Sequence, residues 1–156
     1  IIELNNISFM GLRSFMNHKI LEMRSKGLNA NVVISKDCKN INLEALPTEV
    51  KKSIYSIVGV YLDNAMEAAL LSEEKMVAIN AYTTNKNQIC LEIANTFSGE
   101  VELNKINTYG YSSKGTGRGT GLYIVNKLIK EHDCLESNTI IEHGYFIQKL
   151  IITQKK

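Results

Sequence analysis

Tryptophan is absent from this 156-residue chain, proline occurs once and cysteine three times. An odd number of cysteines (Cys38, Cys90, Cys134), with no two at C-x-x-C spacing, excludes a disulfide framework and fits a reducing cytosol. His132 and Cys134 are near neighbours, but two ligands without a partner pair do not make a zinc site. With one proline, no repeat and no low-complexity stretch, the chain is no extended linker. An apolar content of 44% excludes disorder. Charge of one sign is also scarce. Eighteen Lys and Arg against sixteen Asp and Glu leave +2, too little for a protein that coats nucleic acid. No uninterrupted apolar run approaches the ~18–20 residues of a membrane span. The start, Ile1-Ile2-Glu3, has neither an initiator Met nor a basic leader and reads as a cut inside a longer protein. One domain over residues 1–156 is expected, burying roughly 68–70% of its unfolded surface.

What is present organises into helices and strands. Phe9, Leu12, Phe15, Met16, Ile20 and Met23 recur at helical spacing within 8–26, with Gly27 as the stop. Residues 28–35 predict a strand. Pro47 opens a second helix that runs to about Leu71. Residues 75–83 and 88–94 predict two strands joined at Asn85-Lys86-Asn87. A polar, glycine-bearing loop follows over 95–118, then a third helix from about Gly119 to Glu131. Residues 139–142 and 145–153 predict a closing hairpin hinged at His143-Gly144. The fold class expected is α/β of the α+β kind: a two-layer sandwich, with helices on one face of a mixed, mostly antiparallel sheet. Pairing beyond adjacent hairpins is not legible.

Two stretches carry chemistry. On a wheel of ~100° per residue, the second helix puts Ile54, Val58, Tyr61, Leu62, Ala65 and Ala69 on one side. Ser53, Ser56, Val60, Asp63, Asn64 and Glu67 fall on the other. Taken alone, this second side reads as a solvated face. An amide oxygen beside carboxylates is also a natural Mg²⁺ set, because that ion takes hard oxygen ligands. The second stretch is Gly115-Thr116-Gly117-Arg118-Gly119-Thr120-Gly121-Leu122, preceded by Lys114 and leading into an apolar-faced helix. Alternating glycines let backbone N–H groups approach an anion, and the helix start adds free donors and a half-positive dipole. The alternative is a plain surface loop. The common phosphate motifs fail: Thr116 stands where a P-loop needs Lys, and neither glycine register completes G-x-G-x-x-G.

An Asp-Asn-Ala helix followed by G-x-G-x-G-L at a helix start resembles the Bergerat-fold ATP-binding superfamily. Within it, Leu62-Asp-Asn-Ala-Met-Glu-Ala-Ala69, the glycine run and Thr139 to Lys149 look like the quorum-sensing peptide-receptor histidine kinases of Gram-positive bacteria, the accessory-gene-regulator sensor type. The resemblance covers the chain from about Asn6 to its end. It implies ATP and Mg²⁺ as cofactors. Asn64 would ligate Mg²⁺ on the triphosphate, with Asp63 in support. Asn95 would accept from the adenine amino group where most members place Asp; an amide oxygen can do so without a charge. The alternative is an ordinary strand-end Asn. Lys114, with Gly115, Thr116, Gly117, Arg118, Gly119, Thr120, Gly121 and Leu122, would hold phosphates and hinge a lid, and Tyr111 would edge it or simply pack. Asn64 and Lys114 would be the catalytic pair.

One departure bears on mechanism. Hydrolytic members carry a Glu one turn before the motif Asn; here that position is Val60. The implied reaction is γ-phosphoryl transfer to a histidine on a separate dimerisation domain, without assisted water attack. His18, His132 and His143 read as structural or solvent-exposed, which puts the acceptor upstream. The implied setting is the cytoplasmic part of an integral membrane sensor kinase, with a response regulator as partner and no membrane contact by this piece. Two other readings stay open: a hydrolytic or serine-kinase relative, which turnover would reveal, and a degenerate scaffold, which would not bind nucleotide.

Overall fold

In a computed structural model, residues 1–99 and 120–154 are described. They form helices α1 (Met10–Ser25), α2 (Thr48–Leu71) and α3 (Thr120–Glu131), and strands β1 (Asn29–Ile34), β2 (Met76–Asn85), β3 (Gln88–Thr96), β4 (Leu135–Glu142) and β5 (Tyr145–Thr153). The sheet order is β1-β2-β3-β5-β4. β1 runs parallel to β2, and the other neighbours are antiparallel. The expected two-layer arrangement is what forms, with the helices on one face.

Local chemistry explains the boundaries. α1 ends in a Schellman turn: Gly27 takes φ +89°, and the Leu28 and Gly27 amides donate to the Met23 and Arg24 carbonyls at 3.1 Å. His143 and Gly144, at φ +52° and +82°, make the two-residue turn that matches the twist of β4 and β5. Pro47 sits just outside α2 as its N-cap. Three short 3₁₀ segments, Ile2–Asn6, Lys36–Asn40 and Leu43–Ala45, have no periodic signal in the sequence and were not anticipated.

The core lies between α2 and the sheet. All six residues placed on its inner stripe are buried, as are Val50, Ile57 and Met66. They face Val77, Ile79 and Ala81 of β2, Ile89, Leu91 and Ile93 of β3, and Leu150 and Ile152 of β5. α2 is long and apolar enough to cross a membrane by length and composition alone. Here it is the core helix, its inner face covered by the sheet.

Three expectations need correction. Ser53 was placed on the outer face of α2, but it is 6% exposed and bonds to Nε2 of His132 at 3.0 Å, because α3 covers that side. β4 begins at Leu135, four residues earlier than expected; its solvent-facing polar residues hid the strand. The loop expected from 95 begins later, since Asn95 and Thr96 are the last rungs of β3.

The cysteines are reduced. Burial is the main cause that pushes the Cys38 thiol up to about 11 and raises that of Cys90 as well. Thiolate, the reactive form, is therefore depleted at both sites. Iodoacetamide at pH 8 is expected to label half-buried Cys134 first, with Cys38 and Cys90 following only on unfolding; peptide mass spectrometry with and without urea checks the order.

Candidate functional site

Asp63, Asn64 and Glu67 project from α2 on the side away from the sheet. The reason is angular: with Leu62, Ala65, Met66 and Ala69 committed to the core, these positions point elsewhere. Asn64 and Glu67 are half-buried and Asp63 is exposed. Asp63 does not stand alone. Lys19, one helix away on α1, donates to its Oδ1 at 2.6 Å and lies 3.7 Å from Glu22. That bond to Asp63 is the main cause raising the Lys19 pKa. Nothing in the sequence signalled this ion pair, because 44 residues separate its ends.

The start of α3 closes on the same face. A Cβ at Gly121 would come 3.0 Å from Cγ1 of Val60, so the two helices pack closely there and a larger side chain would have to push Val60 aside. Val60 is one turn before Asn64. At the other end of α3, His132 reaches Ser53, so the two helices run antiparallel. The contact brings the N-terminus of α3, with its unsatisfied N–H groups and positive dipole end, alongside the Asn64 face. Leu122 is half-buried and packs toward the core.

Asn95 lies at the far end of the site. It is 2% exposed, between Val77 of β2 and Phe146 of β5 on the helix-facing side of the sheet. Its Nδ2 donates to the Thr96 carbonyl at 2.9 Å. The Thr96 hydroxyl ties this strand end to the C-terminus of α2: it shares a 2.7 Å bond with Oγ of Ser72 and accepts from the Met76 amide at 3.0 Å. Ser72 in turn donates to the Ala69 carbonyl and accepts from the Lys75 amide. Asn64 lies eight residues before Ser72, ~12 Å by helical rise. One site therefore has a polar amide at each end, one half-buried on a helix and one buried in the sheet. Sequence reasoning missed Ser72 and Thr96, whose small hydroxyls carry no periodic signal.

Asn64, Asp63, Asn95, Gly121 and Leu122 are thus placed, with Thr120 opening α3. Tyr111, Lys114, Gly115, Thr116, Gly117, Arg118 and Gly119 lie outside the described residues. Among the described residues no group of three His, Cys, Asp or Glu could hold a metal ion. A divalent ion here would take a single side-chain amide oxygen, Asn64, and complete its shell with phosphate oxygens and water, which is how Mg²⁺ commonly binds with nucleotides.

A family model described as a GHKL domain matches residues 51–153. No curated protein sequence matches the chain significantly. Among solved structures, the catalytic domain of histidine kinase ThkA, in a nucleotide-free form, is similar at 15% identity and TM-score 0.70, over 95% of this chain and 93% of that one. A mycobacterial sensor histidine kinase, MprB, is similar at 14% identity and TM-score 0.62, over 94% and 96%. Full-length ShkA in complex with AMPPNP is similar at 18% identity and TM-score 0.61, over 93% of this chain and 30% of that one. The shared feature is the fold: the α+β, mixed-sheet Bergerat arrangement of histidine kinase ATP-binding domains.

The Gly121–Val60 contact makes its own prediction. Gly121→Ala sets about 1 kcal/mol of helix propensity against the overpacking cost of pushing Val60 aside, and that cost should be smaller in a Val60→Ala background. A double-mutant cycle in urea measures the coupling.

Proposed function

This chain belongs to the GHKL domain family, and from that premise we propose that it is the ATP-binding, phosphoryl-donating domain of a sensor histidine kinase. The observation that carries the proposal is the closure of the α3 N-terminus, through Gly121 and Val60, onto the helix face that bears Asn64. A triphosphate lying there would meet N–H donors from one helix and an amide oxygen from the other.

Each residue then has a stated task. Asn95 accepts from the base at the sheet end. Asn64 would hold Mg²⁺ brought with the nucleotide. The bound ion would supply charge neutralisation on the transferring group. By their sequence, Lys114, Gly115, Thr116, Gly117, Arg118, Gly119 and Thr120 are the residues assigned to the phosphates, with Tyr111 at their edge. Lys19 holds Asp63 back from the phosphates. Val60 offers no base, so water is not activated, and the γ-phosphoryl group waits for an imidazole brought by a separate dimerisation domain. A response regulator then takes the phosphoryl group on. Membership of the peptide-receptor, accessory-gene-regulator branch and a cytoplasmic place beneath a membrane sensor belong to the same proposal. They are supported by the likeness of the Asp63-Asn64 helix and the Gly115–Gly121 run to that branch.

Calorimetric titration with a non-hydrolysable ATP analogue should show binding that needs Mg²⁺. Asn64→Ala should weaken it by roughly 10–100-fold, the worth of a hydrogen-bonding group facing charge. Absence of binding by the unaltered chain at millimolar nucleotide would sink the proposal in favour of a degenerate scaffold. Turnover gives an independent check: phosphate release by this chain alone should stay well below the ~1 s⁻¹ low end of ordinary enzyme rates. Fast release would move the chain to the hydrolytic relatives.

A further inference from the structure

Gln148 is 3% exposed, and its amide nitrogen has no hydrogen-bond acceptor among the described residues. Burying a donor without a partner is costly, and such a group calls for a physical reason. Its other end is held: the Thr139 hydroxyl on β4 donates to Oε1 of Gln148 at 2.9 Å. Oriented this way, Gln148 presents a donor.

The register locates that donor. Gln148 pairs with Ile93, and Asn95, two residues on, pairs with Phe146. All four face the helix layer, so Asn95 and Gln148 occupy opposite corners of one square of side chains, at the diagonal spacing of ~7–8 Å that large groups bridge. Asn95 is polarised in the opposite sense. Its Nδ2 is engaged by the Thr96 carbonyl, so what it offers a ligand is the Oδ1 acceptor. Phe146 is half-buried and Ile141, beyond it on β4, is 38% exposed. The exposed end of that row is therefore at Phe146 and Ile141, with Asn95 and Gln148 buried beside it.

An acceptor and a donor at this spacing complement one edge of a purine. Adenine carries a donating 6-amino group beside an accepting N1. Guanine carries the reverse, an accepting O6 beside a donating N1–H. We propose that Gln148 is a specificity-determining residue which, with Asn95, reads the 6-amino and N1 edge of adenine, directly or across one ordered water. The inference rests on the nucleotide-site reading above and deepens it. Two oppositely set amides achieve without charge what one amide alone could not: a flipped purine would leave both buried groups facing the wrong partner, and sites built from buried polar groups reject such ligands strongly.

The test compares ATP, GTP and 1-deaza-ATP, which keeps the amino group and lacks the N1 acceptor, by titration in Mg²⁺. The unaltered chain should bind ATP about tenfold more tightly than 1-deaza-ATP, the ordinary worth of one hydrogen bond. In Gln148→Met, of similar length and without the donor, that ratio should fall to about one while ATP still binds and thermal melting stays cooperative. Thr139→Val, which releases the Gln148 amide to rotate, should narrow the preference for ATP over GTP, and it carries the test should Gln148→Met fail to fold. Equal binding of ATP and 1-deaza-ATP by the unaltered chain overturns the proposal, as does an unchanged ratio in Gln148→Met. Failure to bind ATP at all overturns instead the nucleotide-site reading on which it stands, and the two failures are distinct.

Discussion

The burial of α2 against the sheet is the constraint on which the rest depends. Ile54, Ile57, Val58, Tyr61, Leu62, Ala65 and Ala69 are each at most 1% exposed. Each large member contributes about 1.5–3 kcal/mol by leaving water. A helix with that much apolar surface committed has one rotational setting. Turning it by one residue would swing Asp63 into the aliphatic layer, where an unpaired carboxylate is costly. The chemistry of the site is thus oriented by residues that never touch it.

From that setting the other parts follow in order. The outward face of α2 is available to α1 and α3. α1 uses it to place Lys19 on Asp63. α3 uses it to seat Gly121 on Val60 and His132 on Ser53, two anchors that define how its first turn lies. The C-terminus of α2 is joined to β3 by the hydroxyls of Ser72 and Thr96, so that Asn64 and Asn95 are held by one continuous set of packed and hydrogen-bonded groups. Preorganisation of this kind lets a ligand bind without first ordering its site.

The neutral amide at position 95 has a physical reading in this frame. A buried carboxylate here would carry a desolvation cost among Val77, Ile93 and Phe146. A neutral amide avoids it, but an amide has two faces, and its orientation must be imposed. The Thr96 carbonyl imposes it by accepting from Nδ2. At position 60, Val serves packing, and its methyl groups set the closest approach of α3.

Much of this was legible in the chain itself. The period of 3.6 marked α2 and its inner stripe, Gly27 and Gly144 marked the end of α1 and the last hairpin, and the Asp63-Asn64 pair fell on the outward side of α2. These signals are local: each depends on side chains within a turn or two of one another. The position of β1 at the sheet edge, the central place of β3 beside β5, the burial of Ser53, the Lys19–Asp63 pair and the facing of Gln148 and Asn95 were not legible. They join residues tens of positions apart, and neither periodicity nor composition carries information across that separation. The sequence by itself determined which faces were apolar and which residue types were available for chemistry. The tertiary structure alone decided which of those residues meet, because strand order and helix crossing are settled by the whole core packing at once, not by any segment within it.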